Sequence, residues 1–316
     1  MKINKSSILA NLVLAGIFTV SAISSAASQN KSFNNVKKQL VASQIDNLAK
    51  SGTEVNEISN KTTLLFIITD EKQNIKGNGS GSIIAKQGNS CLGVTNRHVV
   101  LEEDGKLSNL VVRTYDDKLH KPEKVQWFNS EDLALVWFKC AQNYEPVTLA
   151  TYQLSPGQPV YLSGWPPSLA AGAVSRQFTS GSISTILEQP LDGYRVGYTN
   201  VTQGGMSGGQ VLDSAGRLVA IHGVGGIKPT TGEKTGFNYG IPVTTLLARL
   251  SENGINYPYQ VTYSTPQESP NVNVVQSNEV PTQQEQVTVG DIRGEIDETL
   301  KIIDEGRRVV CGLFGC

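Results

Sequence analysis

Between Lys61 and about Tyr259 the chain is built from short apolar runs of strand length, each closed by turn-forming residues. Leu64 to Thr69, Gly81 to Ala85, Leu92 to Thr95, Leu110 to Tyr115 and Leu133 to Phe138 are such runs, and so are Val160 to Ser163, Ser182 to Ile186, Tyr194 to Tyr198 and Leu218 to His222. Gln87-Gly88-Asn89 and Asp213-Ser214-Ala215-Gly216 supply turns between neighbours. Many short strands at this spacing predict an all-β barrel or sandwich. The 31 glycines and a charged fraction of only 17% suit a turn-rich β protein better than a helical one. A periodic stretch opening at Pro242 and running through Leu250, with Gly254 to end it, predicts one helix after the strands.

The flanks have a different character. Lys2 and Lys5 precede an apolar run from Ile8 to Val20, and small residues from Ser21 to Ser28 follow. A run of this length falls short of the ~20 residues of a membrane span. Residues 1–27 therefore read as a signal peptide, and the mature chain is expected in the periplasm or outside the cell with no stable membrane association. Residues 28–60 form an N-terminal segment in which Phe33, Val36, Leu40, Ile45 and Leu48 have roughly helical spacing. Two readings stand for it: a pro-segment, or a helix packed on the domain. Residues 258–290, with Pro266, Pro270 and Pro281 among polar residues, read as a linker. Residues 291–316 read as a short helical tail ending in Cys311 and Cys316. With 27 basic against 28 acidic residues, the composition gives no electrostatic case for nucleic acid.

The chemistry concentrates in three segments. Gly204-Gly205-Met206-Ser207-Gly208-Gly209 presents a serine between glycines, but a serine hydroxyl is a poor nucleophile until a base takes its proton. The chain has three histidines, so the candidate bases are His98, His120 and His222. His98 follows the apolar run that ends at Thr95, while His120 sits in a polar stretch that reads as a solvated loop. Asp132, just before a buried-looking strand, is a carboxylate able to orient an imidazole and stabilise its charged form.

Thr95-x-x-His98, Asp132-Leu-Ala-Leu135 and Gly205-x-Ser207-Gly-Gly209, in that order, resemble the chymotrypsin/trypsin-like serine protease superfamily over residues 61–257. The resemblance implies two six-stranded antiparallel β-barrels and an endopeptidase acting on protein or peptide substrates, with neither cofactor nor metal. It implies catalytic His98, Asp132 and Ser207, and an oxyanion hole from the N–H groups of Gly205 and Ser207. The Gly-x-Ser-x-Gly elbow of α/β-hydrolases also fits residues 205–209, but that fold needs its acid and histidine after the serine. Only His222 follows, fifteen residues on and within a strand-like run, so chain order excludes the elbow.

Within the superfamily, Thr202 and the Ala220-Ile221-His222-Gly223 segment resemble bacterial glutamyl endopeptidases of the V8 type, which place a threonine and a histidine at these offsets from the nucleophile. That implies a pocket of Thr202, His222 and Gly223 reading Glu or Asp before the scissile bond through hydrogen-bond donors. Val201 stands where a trypsin-like pocket would hold an acid, and Met206 replaces the aspartate of the animal zymogen switch. In this fold the strands leading to the histidine and away from the aspartate are antiparallel neighbours. Cys91 lies seven residues before His98 and Cys140 eight after Asp132, so at ~3.3 Å per residue the resemblance implies that the two face each other at the far end, close enough for a disulfide, with two buried free thiols as the alternative. One alternative is a binding or scaffolding protein on a protease fold with a blocked or latent site. Another, an Htr-type quality-control protease, expects a PDZ module, for which residues 264–316 are too few and too helical.

Overall fold

A computed structural model describes residues 47–268, apart from 142, 169–172, 228–230 and 232–233. The expectations for the signal peptide, most of the N-terminal segment and linker, the tail and Cys311 and Cys316 lie outside those residues.

Ser51 opens the structure with a capping box: its side chain accepts from the Glu54 N–H while the Glu54 carboxylate accepts from the Ser51 N–H. Helix α1 (Gly52–Thr62) follows. It buries Val55, sets Ile58 over the Gly216 turn and lays Gly52 against Tyr161. The end of the N-terminal segment is thus a helix packed on the domain, four residues beyond the last of the positions whose spacing predicted one.

Strands β1 (Thr63–Thr69), β2 (Ile75–Gln87), β3 (Ser90–Thr95), β4 (Asn109–Arg113), β5 (Leu119–His120), β6 (Pro122–Trp127) and β7 (Ala134–Lys139) make the first sheet, in the order β5-β4-β1-β2-β3-β7-β6. Helix α2 (Arg97–Val100) follows β3. Gly79 and Gly81 let β2 pass close beneath its neighbours, since a Cβ would lie 2.4 Å from Val99 at the first and 2.3 Å from Phe66 at the second. This sheet curls into a half-barrel. Near its two ends, β4 and β6 face each other across a cleft of about 180 Å³ lined by residues 107–110 and 121–125. Pro122 has no N–H to offer and β6 slips register between Pro122 and Lys124, both features of an unpaired edge.

The second sheet comprises β8 (Leu149–Ala150), β9 (Pro159–Gly164), β12 (Gln177–Ile186), β13 (Val196–Tyr198), β14 (Gln210–Leu212), β15 (Leu218–Ile227), β16 (Lys234–Pro242) and β17 (Val261–Thr262), while β10 (Pro167–Ser168) and β11 (Ala173–Val174) form a separate hairpin. Pairing of β14 with both β9 and β15 closes six of these strands into a barrel. Helix α3 (Val243–Glu252), entered through Pro242 and followed by Gly254 at φ 63°, closes the body. The architecture is chymotrypsin-like, with one barrel fully closed and the other open along one seam.

Three apolar clusters fill the interior, and β7 shows why its sequence is an unbroken apolar run. Ala134, Val136 and Phe138 face the core of the first sheet, while Leu133, Leu135 and Trp137 face a second core shared with Leu212, Leu218, Ile221 and Ile241 of the closed barrel. A strand with both faces buried has no polar alternation to show. Cys91 and Cys140 form a disulfide across 49 residues of chain, at the end of the β3–β7 pair away from His98. Among the described residues no helix is long and apolar enough to cross a membrane.

Candidate active site

The β3–β7 pairing puts Thr95 opposite Ala134, so the residues just beyond each strand end meet at one edge of the first sheet. His98 sits in the short helix α2 and Asp132 in the loop before β7. His98 Nδ1 lies 2.5 Å from Asp132 Oδ2, and the His98 backbone N–H donates to Oδ1 at 2.9 Å. Two bonds to the two carboxylate oxygens fix both the position and the rotation of the acid. The imidazole side chain remains 47% exposed while that of Asp132 is only 8% exposed, so the pair is a buried anion beneath an accessible base. Burial pushes the Asp132 carboxyl up. The hydrogen bond and charge of His98 and the Tyr194 hydroxyl outweigh it and hold the group below the usual carboxylate range.

Several neighbours fix this loop. Asn96 donates from Nδ2 to the Asp132 carbonyl at 2.9 Å, and the Asp132 N–H donates to the Asp192 carbonyl at 3.0 Å. Arg97 reaches the carbonyls of Phe128 and Asn129. Adjacent Glu131 accepts bidentately from Arg249 of α3, at 2.7 and 2.6 Å. That ion pair lowers the Glu131 carboxyl and ties the aspartate loop to the C-terminal helix.

Ser207 comes from the closed barrel, in a turn between Gly205 and Gly208 at φ 86° and 85°. Both glycines are required. A Cβ at Gly208 would stand 2.1 Å from the Ser80 carbonyl oxygen, and one at Gly205 would stand 2.7 Å from Asn78 Nδ2 and from the Trp165 carbonyl oxygen. The turn is gripped by Ser80 of β2, whose N–H donates to the Ser207 carbonyl at 2.7 Å and whose hydroxyl donates to the Gly205 carbonyl at 2.8 Å. The same hydroxyl accepts the Trp165 N–H at 2.8 Å. Among the described residues, the N–H groups of Gly205 and Ser207 donate to no protein acceptor. They are two adjacent donors on the nucleophile turn with capacity for an oxyanion. The Ser207 hydroxyl donates to the Gly223 carbonyl at 3.0 Å, and no hydrogen bond among the described residues links it to His98.

Thr202 and His222 are both buried beside this turn. Thr202 Oγ1 donates to Asn238 Oδ1 at 2.5 Å, and Asn238 Nδ2 donates to the Asn200 carbonyl at 2.5 Å. His222 Nδ1 is hydrogen-bonded to the hydroxyl of fully buried Tyr198 at 2.6 Å, a phenol that burial keeps protonated. Gly223 carries the carbonyl that receives Ser207. Met206 is 1% exposed in the core of the closed barrel, so an apolar contact occupies the place where the zymogen switch has a charge. His120 is not a loop residue. It lies in β5 opposite Val112, with its ring against Phe138 and Tyr144, because the edge strand folds it onto the first core.

The sequence offered no sign of Tyr194, Ser80, Asn238 or Tyr198. Each acts through contacts more than fifteen residues distant, and none belongs to a motif. Ser80 alone lies in a suggestive segment, Gly79-Ser80-Gly81, where glycines mark a close backbone approach.

Residues 79–221 match the family model of the trypsin-like peptidase domain. Protease Do-like 5, chloroplastic, from Arabidopsis thaliana is 28% identical over 225 residues, covering 65% of this chain and 64% of that protein. The chain thus spans somewhat less than two thirds of that relative's length. The crystal structure of the serine endoprotease from Yersinia pestis superposes with a TM-score of 0.51 over 66% of this chain and 68% of that one, at 21% identity, a likeness of fold. Family match, relative and fold together support the trypsin-like serine protease superfamily for this chain. The relative bears a Do-like name, so the V8-type resemblance rests on the pocket residues alone.

Proposed function

We propose that the chain is a serine endopeptidase in which His98, Asp132 and Ser207 act as one catalytic triad. The observation that carries this reading is the doubly bonded His98–Asp132 pair set at the same edge as a serine turn with two unengaged N–H groups. When a peptide arrives, the Ser207 hydroxyl leaves the Gly223 carbonyl, gives its proton to His98 Nε2 and attacks the scissile carbonyl carbon. Negative charge on the carbonyl oxygen falls to the Gly205 and Ser207 N–H groups, while Asp132 stabilises the imidazolium. His98 then passes the proton to the departing amine, leaving an acyl-serine that water hydrolyses by the same steps in reverse. The test is a fluorophosphonate probe on the oxidised protein. Labelling at Ser207 with peptide hydrolysis supports the reading, and neither labelling nor hydrolysis by the folded, disulfide-bonded protein would falsify it.

Two finer proposals belong here. In the first, Thr202 and His222 receive an acidic side chain before the scissile bond, Thr202 turning its hydroxyl from Asn238 to the substrate. A peptide-library cleavage profile with His222→Ala in parallel decides it, and a wild-type profile indifferent to Glu and Asp removes it. In the second, the protein is exported, a reading favoured by the Cys91–Cys140 disulfide, since such bonds persist in oxidising compartments. Fractionation of expressing cells tests it.

A second reading, a latent or scaffolding protease-fold protein, draws on the Ser207–Gly223 bond, which engages the hydroxyl proton that the triad would pass to His98. Turnover that appears only after trimming of either end is the signature of latency, and partner binding retained by Ser207→Ala with no phenotype is that of scaffolding.

A further inference from the structure

We propose that Tyr194 is a positioning residue for the triad, a hydrogen-bond donor from the closed barrel that sets the charge and orientation of Asp132 across the cleft. This rests on the triad reading above and deepens it. Asp132 belongs to the first sheet, and its Oδ1 is filled by the His98 backbone N–H while Oδ2 faces the His98 ring. The Tyr194 hydroxyl donates to that same Oδ2. Tyr194 is 9% exposed and lies just before β13, in a loop whose Leu191 carbonyl accepts its N–H.

The ring has a second function. It lies so close over Gly223 that a Cβ there would fall 2.2 Å from its Cε1 and 2.3 Å from its hydroxyl. Gly223 is the residue whose carbonyl accepts from Ser207. One side chain therefore touches the acid of one sheet and the strand that holds the nucleophile of the other. Burial, then the Asp132 charge, push the phenol well above its usual range, so it stays a donor wherever the enzyme works.

A donor shared with His98 on one carboxylate oxygen draws off part of the negative charge that the imidazolium feels. Removing it leaves a more concentrated anion beside His98, which raises the histidine's affinity for a proton. The other charged groups around the pair are Asp192 beside Tyr194, Arg97 at 3.6 Å from Asp192, and the Glu131–Arg249 pair behind the loop. None of these changes when the tyrosine is replaced.

The test compares full-length wild type with Tyr194→Phe, which keeps the ring over Gly223 and deletes the hydroxyl. Fluorophosphonate labelling of wild-type Ser207 comes first, and its failure overturns the triad reading itself. Given labelling, Tyr194→Phe is expected to lower kcat about 10- to 100-fold with KM little changed, the effect of one charge-assisted hydrogen bond. The acidic limb of kcat/KM is expected to move to higher pH. A folded variant with wild-type kcat and an unmoved limb overturns the proposal and leaves the triad standing. Should the phenylalanine variant not fold, 3-fluorotyrosine placed at 194 keeps ring and hydroxyl but is the stronger acid. The limb then moves to lower pH if Tyr194 sets the charge of Asp132, and stays in place if it does not.

Discussion

The two sheets solve the same problem in different ways. The closed barrel is sealed by backbone pairing around six strands and contributes Ser207, the N–H groups of Gly205 and Ser207, and the strand that carries His222 and Gly223. The half-barrel is open between β4 and β6, is stapled by Cys91–Cys140, and contributes His98 and Asp132. Neither holds all three residues of the proposed triad. The difference locates precision in the joint rather than in either sheet: Ser80 reaches from the half-barrel to the nucleophile turn, and Tyr194 and Arg249 reach back to the aspartate loop.

The strongest way to break the comparison is to remove one group from each side. Ser207→Ala from the closed barrel and His98→Ala from the half-barrel are each expected to lower kcat on the order of 10⁶-fold, and the double variant no further, because the two act as a unit. Steady-state hydrolysis with active-site titration checks it, and additive losses would separate the two residues mechanistically. Gly208→Ala attacks the joint. It adds left-handed strain at φ 85° to a clash with Ser80 and Thr95, a destabilisation of about 2–6 kcal/mol. Gly88→Ala, at φ 59° with nothing within 4 Å of the new methyl, isolates the strain alone at about 1 kcal/mol. Chemical denaturation of the pair measures the difference, and equal effects would mean that the contact with Ser80 is not tight in solution.

The staple comes next. The disulfide closes 49 residues of a sheet that its own pairing leaves open, so Cys91→Ala/Cys140→Ala is expected to cost about 2–4 kcal/mol. Tryptophan fluorescence reporting on Trp127 and Trp137 should then melt ahead of the signal from the closed barrel. A single coincident transition would show that the shared core between the sheets, rather than the staple, sets their cooperativity.

Much of this was legible in the sequence for a physical reason. The runs at Leu92 and Leu133 are apolar because β3 and β7 are buried on both faces, and the strand ends beyond them carry His98 and Asp132. The order of the three motifs followed from the topology. Other features left no such trace. The length of β2 was hidden because the apolar run begins only at Gly81, although the strand starts at Ile75 and its Gly79 and Gly81 serve close packing against Val99 and Phe66. The capping box Ser51-x-x-Glu54 is a local signal for the helix start, whereas the helical spacing of Phe33 to Leu48 lies upstream of it. Tyr194 opens an apolar run of strand length, and nothing local reveals that its hydroxyl meets an aspartate 62 residues away.

The smallest expected effect is a pH dependence confined to the half-barrel. His120 packs tilted against Phe138 and edge-on against Tyr144, with ring centroids 5.3 and 6.1 Å apart, and Thr114 Oγ1 lies 3.1 Å from its Nε2. Burial lowers its affinity for a proton and Lys118 adds to that, against the opposing pull of a backbone hydrogen bond at Lys139 and of Asp116. The sign follows. Above the unfolded value near 6.5 both states are neutral and the histidine contributes nothing. As the pH falls through that value the unfolded chain takes up a proton that the folded one resists, so stability declines until the lower folded value is passed. Melting curves from pH 7.5 to 5 should therefore slope downward, and His120→Gln should flatten part of that slope. The flattening should appear in the half-barrel signal and be absent from the closed barrel's. A slope unchanged by the substitution would return His120 to the solvated edge, and leave the staple as the half-barrel's one environmental sensitivity among those tested.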